Sequence, residues 1–187
     1  MYPTPAKARR EMEQSEREYH KGHLEASIEH LTKAIGIAPD YMEAHNNLGS
    51  RYLALGDYAR AVEPLETAVR LEPSSIRPRL NLTLAFYVLQ RIDQAEQSAR
   101  EALRLAGDLP KGHYLLGLTL IARGRTKEAV AHLQKSTAEF PRAHLLAAQL
   151  LAQDGSVEAA ASELKAYLAI PHPPDRAQVE TWLTSLR

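Results

Sequence analysis

Apolar, small and polar residues recur along the chain in the same order at a fixed spacing. The segment HNNLGSRYLALGDYARA begins at His45, and the similar segment HYLLGLTLIARGRTKEA begins at His113, 68 residues later. This spacing is twice 34, so the pattern predicts a unit of about 34 residues that is repeated along the chain. Frames of that length begin at Ala8, Met42, Ile76 and Pro110, and a fifth begins at Pro141, three residues early.

Small residues occupy two columns of these frames, and leucine dominates a third. With the first residue of each frame counted as place 1, place 8 contains Ser15, Gly49, Thr83, Gly117 and Ala148. Place 20 contains Ser27, Ala61, Ala95, Ala129 and Ala160, and place 24 contains Leu31, Leu65, Ala99, Leu133 and Leu164. Small residues at a fixed place indicate that two helices approach closely there, since a larger side chain would cost about 1–3 kcal/mol by overpacking. The columns predict a packed pair of helices, A and B, in each frame.

Local signals mark the ends of these helices. Glycines stand where helix A must stop, at Gly22, Gly56, Gly124 and Gly155. The predicted capping residues are Asp57 and Ser156 for two B helices, Asp40 with Glu43 for helix A of the second frame, and Asp175 with Gln178 for a final helix. That final helix contains Trp182, the only tryptophan, and is predicted to cover the end of the stack.

Two features oppose this assignment locally. The segment RLNLTLAF, residues 79–86, alternates as a strand does, yet it is in register with helix A of the other frames. Pro64 falls inside helix B of the second frame, where proline typically costs about 3 kcal/mol. We keep both helices and predict a kink at Pro64.

The recurring residues resemble the tetratricopeptide repeat (TPR), whose pattern is W-x2-L-G-x2-Y, then A-x3-F, then P. The matching residues are His45, Leu48, Gly49, Tyr52, Ala61, Leu65 and Pro73, and again Leu116, Gly117, Ala129, Leu133 and Pro141. Three departures are evident: His45 and His113 replace the tryptophan, Gln90 replaces a turn glycine, and helix A of the first frame is largely polar, as in a solvated cap.

The resemblance implies an all-α, right-handed superhelix of about five antiparallel helix pairs. We expect a linker-like segment over residues 1–7, the solenoid over 8–170, and a linker with the C-terminal capping helix over 171–187. Pro3 and Pro5 are typical of the end of a linker, and the sequence leaves open whether the chain is a fragment of a longer protein. The general character of the sequence is similar to that of TPR segments in bacterial multi-domain proteins, including exported ones.

Composition narrows the classes of partner. The 187 residues include 23 Lys and Arg and 23 Asp and Glu, so the formal charge of zero favours neither nucleic acid nor an anionic membrane. There is no cysteine, no apolar run near the roughly 20 residues that span a bilayer, and no signal-peptide core near the N-terminus. The compartment stays open between the cytoplasm and, for a segment of an exported protein, the periplasm.

The resemblance implies that the A helices line a concave face on which relatives bind an extended peptide. The predicted groove residues are Asn46, Asn47, Arg77, Leu80, Asn81, Leu84, Tyr87, Lys111, Tyr114, Leu118 and Ile121. Helix A of the third and fourth frames is apolar nearly all round, so part of it is expected to face the groove as an exposed apolar patch. The alternative is that these side chains pack on one another or on the C-terminal helix.

The polar groove residues suggest recognition of a peptide backbone. Asn47 and Asn81 share place 6 and are predicted to donate to and accept from a ligand main chain, unless they bond a neighbouring helix or water. Arg77 and Lys111 are predicted to hold a carboxylate. The TPR clamp for chaperone tails requires lysine and asparagine where this chain has Met12 and Glu16, which argues against that ligand.

Catalysis is not indicated. The eight histidines include a cluster of His20, His23 and His30, but no carboxylate completes a metal site, and no P-loop or hydrolase motif is present. We therefore expect a protein without cofactor, metal or enzymatic activity. The predicted function is a scaffold or adaptor that binds a protein or peptide segment in its groove. The alternative is a structural spacer or a self-associating TPR module of a longer protein, with a homodimer as the self-associated form.

Overall fold

The structure, a computed structural model, describes residues 4–186 and contains eleven α-helices and no strand within them. The helices are α1 Ala6–His20, α2 Leu24–Ile37, α3 Met42–Ala54, α4 Tyr58–Leu71, α5 Ile76–Val88, α6 Ile92–Ala106, α7 Pro110–Ala122, α8 Thr126–Gln134, α9 Ala143–Gln153, α10 Val157–Leu168 and α11 Arg176–Ser185. Five helix pairs and a final helix confirm the all-α repeat architecture. The predicted linker-like segment falls partly outside the described residues, since Met1, Tyr2 and Pro3 are not among them.

The chain divides into two compact units. The first ends at Leu105 and holds the helices α1 to α6, and the second begins at Ala106 and holds α7 to α11. In the first unit α1 packs on α2, α2 on α3, α3 on α4 and α4 on α5. In the second, α7 packs on α8, α8 on α9, α9 on α10 and α10 on α11. Sequential packing of helix on helix is the arrangement that tandem repeats require.

The three columns read from the sequence are the interior of each helix pair. Every side chain of places 20 and 24 is fully buried, from Ser27 and Leu31 in the first repeat to Ala160 and Leu164 in the fifth. At place 8, a Cβ atom added to Gly49 would lie 2.7 Å from Leu65 Cδ2 and closer still to Leu65 Cγ. Helices A and B therefore touch at a point that has no room for a methyl group.

In the third repeat the sizes of the residues at places 8 and 24 are exchanged. Its place 8 is Thr83, which is fully buried, and its place 24 is Ala99, where the second and fourth repeats have leucine. This repeat therefore has the larger side chain on helix A and the smaller one on helix B. The hydroxyl of Thr83 donates to the Arg79 carbonyl at 2.9 Å, so the extra polar group is satisfied inside its own helix.

A polar contact also joins place 4 of helix A to place 23 of helix B in four of the five repeats. The contacts are Glu11 to His30 at 2.7 Å, Ser98 to the Arg79 carbonyl at 2.9 Å, His113 to His132 at 2.8 Å, and His144 to Glu163 at 2.6 Å. The bond from His30 holds the pKa of Glu11 below its usual value. These contacts occupy the column in which the family pattern has tryptophan, so polar pairs take the place of an apolar anchor.

Both locally doubtful helices form. Residues 79–86 lie within α5, because Leu82, Ala85 and Phe86 pack with Ala61 of α4 and Ala95 of α6. Tertiary packing outweighs the strand-like alternation. Helix α4 continues through Pro64, which is buried. The kink at this residue remains a prediction.

The glycine signals are correct and most of the capping signals are wrong. All four predicted stop glycines have a positive φ, between 71° and 83°, and Gln90 adopts the same conformation with a φ of 59°. The Asp57 side chain accepts from the Arg60 N–H at 3.0 Å, as predicted. Ser156 and Asp175 stand at the N-cap position without a capping bond, and the N-cap of α3 is Tyr41 rather than Asp40. Asp175 instead lies 3.5 Å from Arg142.

The first and the last of the described helices pack in different ways. Helix α1 is polar, but it has 15 residues and packs on α2 as in a full repeat, with Ala8 and Ser15 buried between them. At the other end α11 covers the last pair. Its Val179 is 4 % exposed and packs with Leu164 and Tyr167 of α10, and Trp182 packs against the same cluster. This is the predicted capping helix.

We expect Gly49→Ala to lower the free energy of unfolding by about 1–2 kcal/mol, although alanine favours a helix by about 1 kcal/mol. Gly117→Ala should cost less, because its Cβ would lie 2.9 Å from Leu133 Cδ2. Gly36→Ala in α2 is the control, since nothing lies within 4 Å of its Cβ, and it should be neutral or stabilising. Urea unfolding measures all three. A Gly49→Ala protein as stable as the wild type would refute the close approach.

We expect Gln90→Gly to raise the free energy of unfolding by about 0.5–1 kcal/mol, because a left-handed conformation costs an ordinary residue roughly 1–2 kcal/mol and glycine almost nothing. Gln97→Gly, at an exposed position inside α6, should lower it by about 1 kcal/mol. Thermal unfolding followed by circular dichroism distinguishes the two. Destabilisation by both substitutions would contradict the assignment of strain to Gln90.

Candidate peptide-binding groove

An open groove of about 700 Å³ runs along the A helices of the first unit. Helices α1, α3 and α5 supply most of its walls, and the connection between α4 and α5 supplies the rest. The lining residues are Met12, Glu16, Met42, Glu43, Asn46, Asn47, Arg51, Glu72, Ser75, Ile76 and Arg77. The groove therefore combines apolar side chains with charges of both signs. Three of the predicted groove residues, Asn46, Asn47 and Arg77, line it.

Asn47 and Asn81, the asparagines predicted to bind a peptide backbone, donate to side chains of neighbouring A helices instead. Asn46 donates to Asn47 Oδ1 at 3.2 Å, and Asn81 donates to Asn46 Oδ1 at 3.4 Å. Asn47 donates to Glu16 Oε1 at 2.9 Å. Bonding to a neighbouring helix was the alternative to the ladder, and it is realised in this structure. A ligand backbone would have to replace these bonds, so the ladder stays a prediction.

The central cation of the groove, Arg51, was not predicted from the sequence. Arg51 is 5 % exposed, and its Nη2 donates to Glu16 Oε1 at 2.7 Å. A detectable signal was available, because residues 35 positions apart meet across neighbouring A helices, as Asn46 and Asn81 do. Glu16 and Arg51 have the same separation and opposite charge. Arg77, the basic residue that was predicted, lies exposed at the groove.

The apolar groove residues of the first unit differ in their accessibility. Leu80, a predicted groove residue, is 6 % exposed and belongs to the core, which leaves little of its surface for a ligand. Leu84 and Tyr87 are half-buried, and Tyr87 packs against the cluster that contains Leu82 and Phe86. Neither lines the groove of this unit. Both remain predicted ligand contacts beyond it along α5.

In the second unit the predicted residues all belong to α7. The ring of Tyr114 stacks on Phe140, with 4.6 Å between centroids and 9° between planes. Tyr114 therefore packs within the protein, although on Phe140 and not on the other α7 side chains or on the C-terminal helix that the alternative named. Leu118 and Ile121 are half-buried, and Lys111 is exposed. Phe140 was not considered, although its position directly before Pro141 marked it as the last residue of a frame.

The histidines make structural contacts. His45 and His113, which replace the tryptophan of the family pattern, are buried, with 8 % and 6 % exposed. His45 Nε2 donates to the Pro39 carbonyl at 2.9 Å, and His113 Nε2 lies 2.9 Å from Asp108.

Within residues 4–186 no three His, Cys, Asp or Glu side chains are grouped closely enough to hold a metal ion. In the cluster of His20, His23 and His30, the His23 Nδ1 atom lies 2.8 Å from Glu18 Oε2 in a hydrogen bond. Hydrogen bonds from Lys21 and His23 lower the pKa of Glu18 to about 2.

None of the described helices is both long enough and apolar enough to cross a membrane.

Two of the solved structures of similar fold cover 92 % and 63 % of the chain. The structure of MamA residues 41 to end from Desulfovibrio magneticus RS-1 superposes with a TM-score of 0.83 at 18 % identity, and covers 92 % of this chain and 99 % of its own. The first TPR domain of Spaghetti (RPAP3), bound to an HSP90 peptide of sequence SRMEEVD, superposes with a TM-score of 0.62 at 22 % identity, over 63 % of this chain and 94 % of that one. At such low identity these likenesses establish the fold alone.

Sequence relatives have the same repeat. Small glutamine-rich tetratricopeptide repeat-containing protein 2 of Mycosarcoma maydis is 28 % identical over 114 residues, 61 % of this chain. The chain spans only about a third of that protein's length, 32 %. A family model described as tetratricopeptide repeat matches residues 12–76, 46–110, 80–141 and 114–175, which together run through all five helix pairs. With the repeat columns buried as the pattern requires, the chain belongs to the tetratricopeptide repeat family.

Proposed function

We propose that this chain is a protein–protein interaction scaffold whose A helices bind an extended or helical segment of a partner. The observation that carries the proposal is the groove of the first unit, with a volume of about 700 Å³ and walls from three successive A helices. Ligand sites are commonly clefts of about 300–1,000 Å³ in which a few polar groups orient an otherwise apolar contact. The RPAP3 domain of the same fold binds a peptide, which supports this class of ligand.

The chemistry of the groove suits a short peptide segment. Met12, Met42 and Ile76 offer apolar contacts, and each ligand side chain that they bury would contribute about 1.5–3 kcal/mol. Arg77 is exposed at the groove and is able to donate to a carboxylate or a main-chain carbonyl. Methionine is flexible and adapts to ligands of different shape. We infer a site that accepts several related segments rather than one rigid surface.

The apolar side chains of α7 form a second predicted contact region, within the second unit. Leu118 and Ile121 are half-buried and keep part of their surface accessible, and exposed Lys111 lies on the same helix. We propose that this region adds contacts to a longer partner. A non-catalytic role agrees with the family, and we propose no cofactor or metal.

The competing function, a spacer or self-associating module of a longer protein, is favoured by one observation. The stack of Tyr114 on Phe140 shows that the protein's own side chains already satisfy part of the predicted contact surface. A second copy of the chain would be another way to cover the remaining apolar residues.

Charge reversal and apolar-to-acidic substitution test the groove. Peptides selected from a random phage-displayed library on the wild type serve as ligands. Arg77→Glu should weaken their binding about tenfold or more, since a lost charge-assisted contact and a new repulsion exceed about 1.4 kcal/mol. Lys33→Glu, the same reversal of charge at an exposed site of α2, should have no effect. Leu84→Glu and Leu118→Glu report separately on the two units. Isothermal titration calorimetry measures the affinities, and unchanged binding by all three variants would exclude both regions.

Solution mass tests the competing function. The chain has a mass of 20.8 kDa. If the protein is a scaffold whose groove is accessible, light scattering at micromolar concentration should give the mass of the monomer. A stable dimer that Leu118→Glu dissociates, while the peptides fail to bind the wild type, would instead assign the apolar face to self-association.

A further inference from the structure

Helix α11 is attached to the rest of the second unit by few contacts. Val179 is its one buried residue, and Trp182 packs partly buried against the same cluster. Its N-cap, Asp175, makes no capping bond and lies 3.5 Å from Arg142, the N-cap of α9. In the cluster that α11 covers, the hydroxyl of Tyr167 is buried and has no hydrogen-bond partner among the described residues. Release of α11 would expose that hydroxyl to water, which offsets part of the apolar contact that is lost.

The segment that joins α10 to α11 has a local preference for an extended chain. It contains Pro171, His172, Pro173 and Pro174. Proline fixes φ at about −65°, and a residue that precedes proline favours the extended region. His172 precedes Pro173, yet its φ is 51°, in the left-handed region that is unfavourable for ordinary residues. The bend that returns α11 to its own α10 therefore opposes the preference of the residues that form it.

An extended joining segment would carry α11 away from its own α10. Val179 and Trp182 would then be covered only by the equivalent α10 of a second copy of the chain. Because the copies are identical, these side chains meet the same cluster in either case. The bond from Arg176 Nη2 to the Leu168 carbonyl, 2.9 Å long, is likewise available to both forms. Only the joining segment differs, and exchange of an element through a strained hinge is a known route to dimers.

We propose that two copies of this chain exchange α11, so that the helix of each copy covers the last helix pair of the other. The receiving surface is the cluster of Ala148, Leu164 and Tyr167. A tethered helix acts at an effective concentration of roughly 1 mM, so the closed monomer prevails at micromolar concentration. Relief of two strained hinges shifts the balance, and the dimer should accumulate at about 100 μM and above. Because α11 contributes no residue to the groove of the first unit, the exchanged dimer keeps two such grooves and does not depend on what they bind.

A concentration series and one substitution test the role of the joining segment. Light scattering should give the monomer mass at micromolar concentration and a rising dimer fraction towards millimolar concentration. His172→Gly removes the strain from the closed form and should weaken dimerisation about tenfold or more, since exchange no longer relieves two hinges. Ala169→Gly adds the same flexibility to an exposed, unstrained residue of the segment, where φ is −74°, and should leave dimerisation within about twofold of the wild type.

A chemical cross-link identifies the exchanged helix directly. The chain has no cysteine, so each introduced thiol is the only one in its protein. Arg142→Cys and Asp175→Cys proteins are mixed at millimolar concentration and diluted just before treatment with a short bismaleimide. The two chains should be joined, because α9 of one copy meets α11 of the other. In the control, Asp154→Cys replaces Arg142→Cys at the opposite end of α9, about 18 Å away at about 1.5 Å per residue, and should give no cross-link.

The combined results decide between exchange and other forms of association. A cross-link between chains that disappears when both proteins also carry His172→Gly would support the exchange. A chain that stays monomeric at millimolar concentration would overturn it, and so would a dimer that gives no cross-link. A dimer that Leu118→Glu dissociates and His172→Gly leaves unchanged would instead assign association to the apolar side chains of α7.

Discussion

The contact between place 8 of helix A and place 24 of helix B is the constraint on which the rest of the structure depends. At Gly49 and Leu65 the two helices touch with no space for a methyl group, and the fourth repeat has the same pair at Gly117 and Leu133. This contact fixes the distance between the two helices of a pair, and that distance determines which faces remain for the next pair. In the third repeat the larger residue of the two places, Thr83, belongs to helix A and the smaller, Ala99, to helix B, and both are fully buried.

Features that recur in every repeat could be predicted from the sequence, because five copies of one packing problem outweigh a local exception. The strand-like residues 79–86 are helical for that reason. Helix caps were less predictable, since a capping bond depends on one side-chain conformation in one copy. Asp57 makes the bond, whereas Ser156, in the same kind of turn, does not. Stop glycines were reliable because a positive φ is set by the backbone and not by a competing side chain.

The candidate site was less predictable than the fold, and the reason is geometric. The repeat has a period of 34 residues, but side chains on neighbouring A helices meet at a separation of 35, as Asn46 meets Asn81. Asn47 and Asn81 occupy the same place of successive frames, so the sequence pattern indicates a row of asparagines. Glu16 and Arg51 occupy different places, so the same pattern does not reveal their ion pair. The burial of Leu80 could not be predicted for a related reason, since a helix apolar on nearly every side does not reveal which apolar side is covered.

The polar first helix follows from the same contacts. Helix α1 fully buries only Ala8 and Ser15, and its Met12 packs partly buried against Leu31 and Ala34 of α2. Hydrogen bonds from Glu11 to His30 and from Ser15 to Ser27 join it to α2, and Glu16 joins it to Arg51 of α3. Burying an arginine is costly unless its charge is met, so the ion pair makes the position of α1 depend on a group that lies inside the groove. In this repeat array the N-terminal helix and the candidate ligand site therefore share one buried cation.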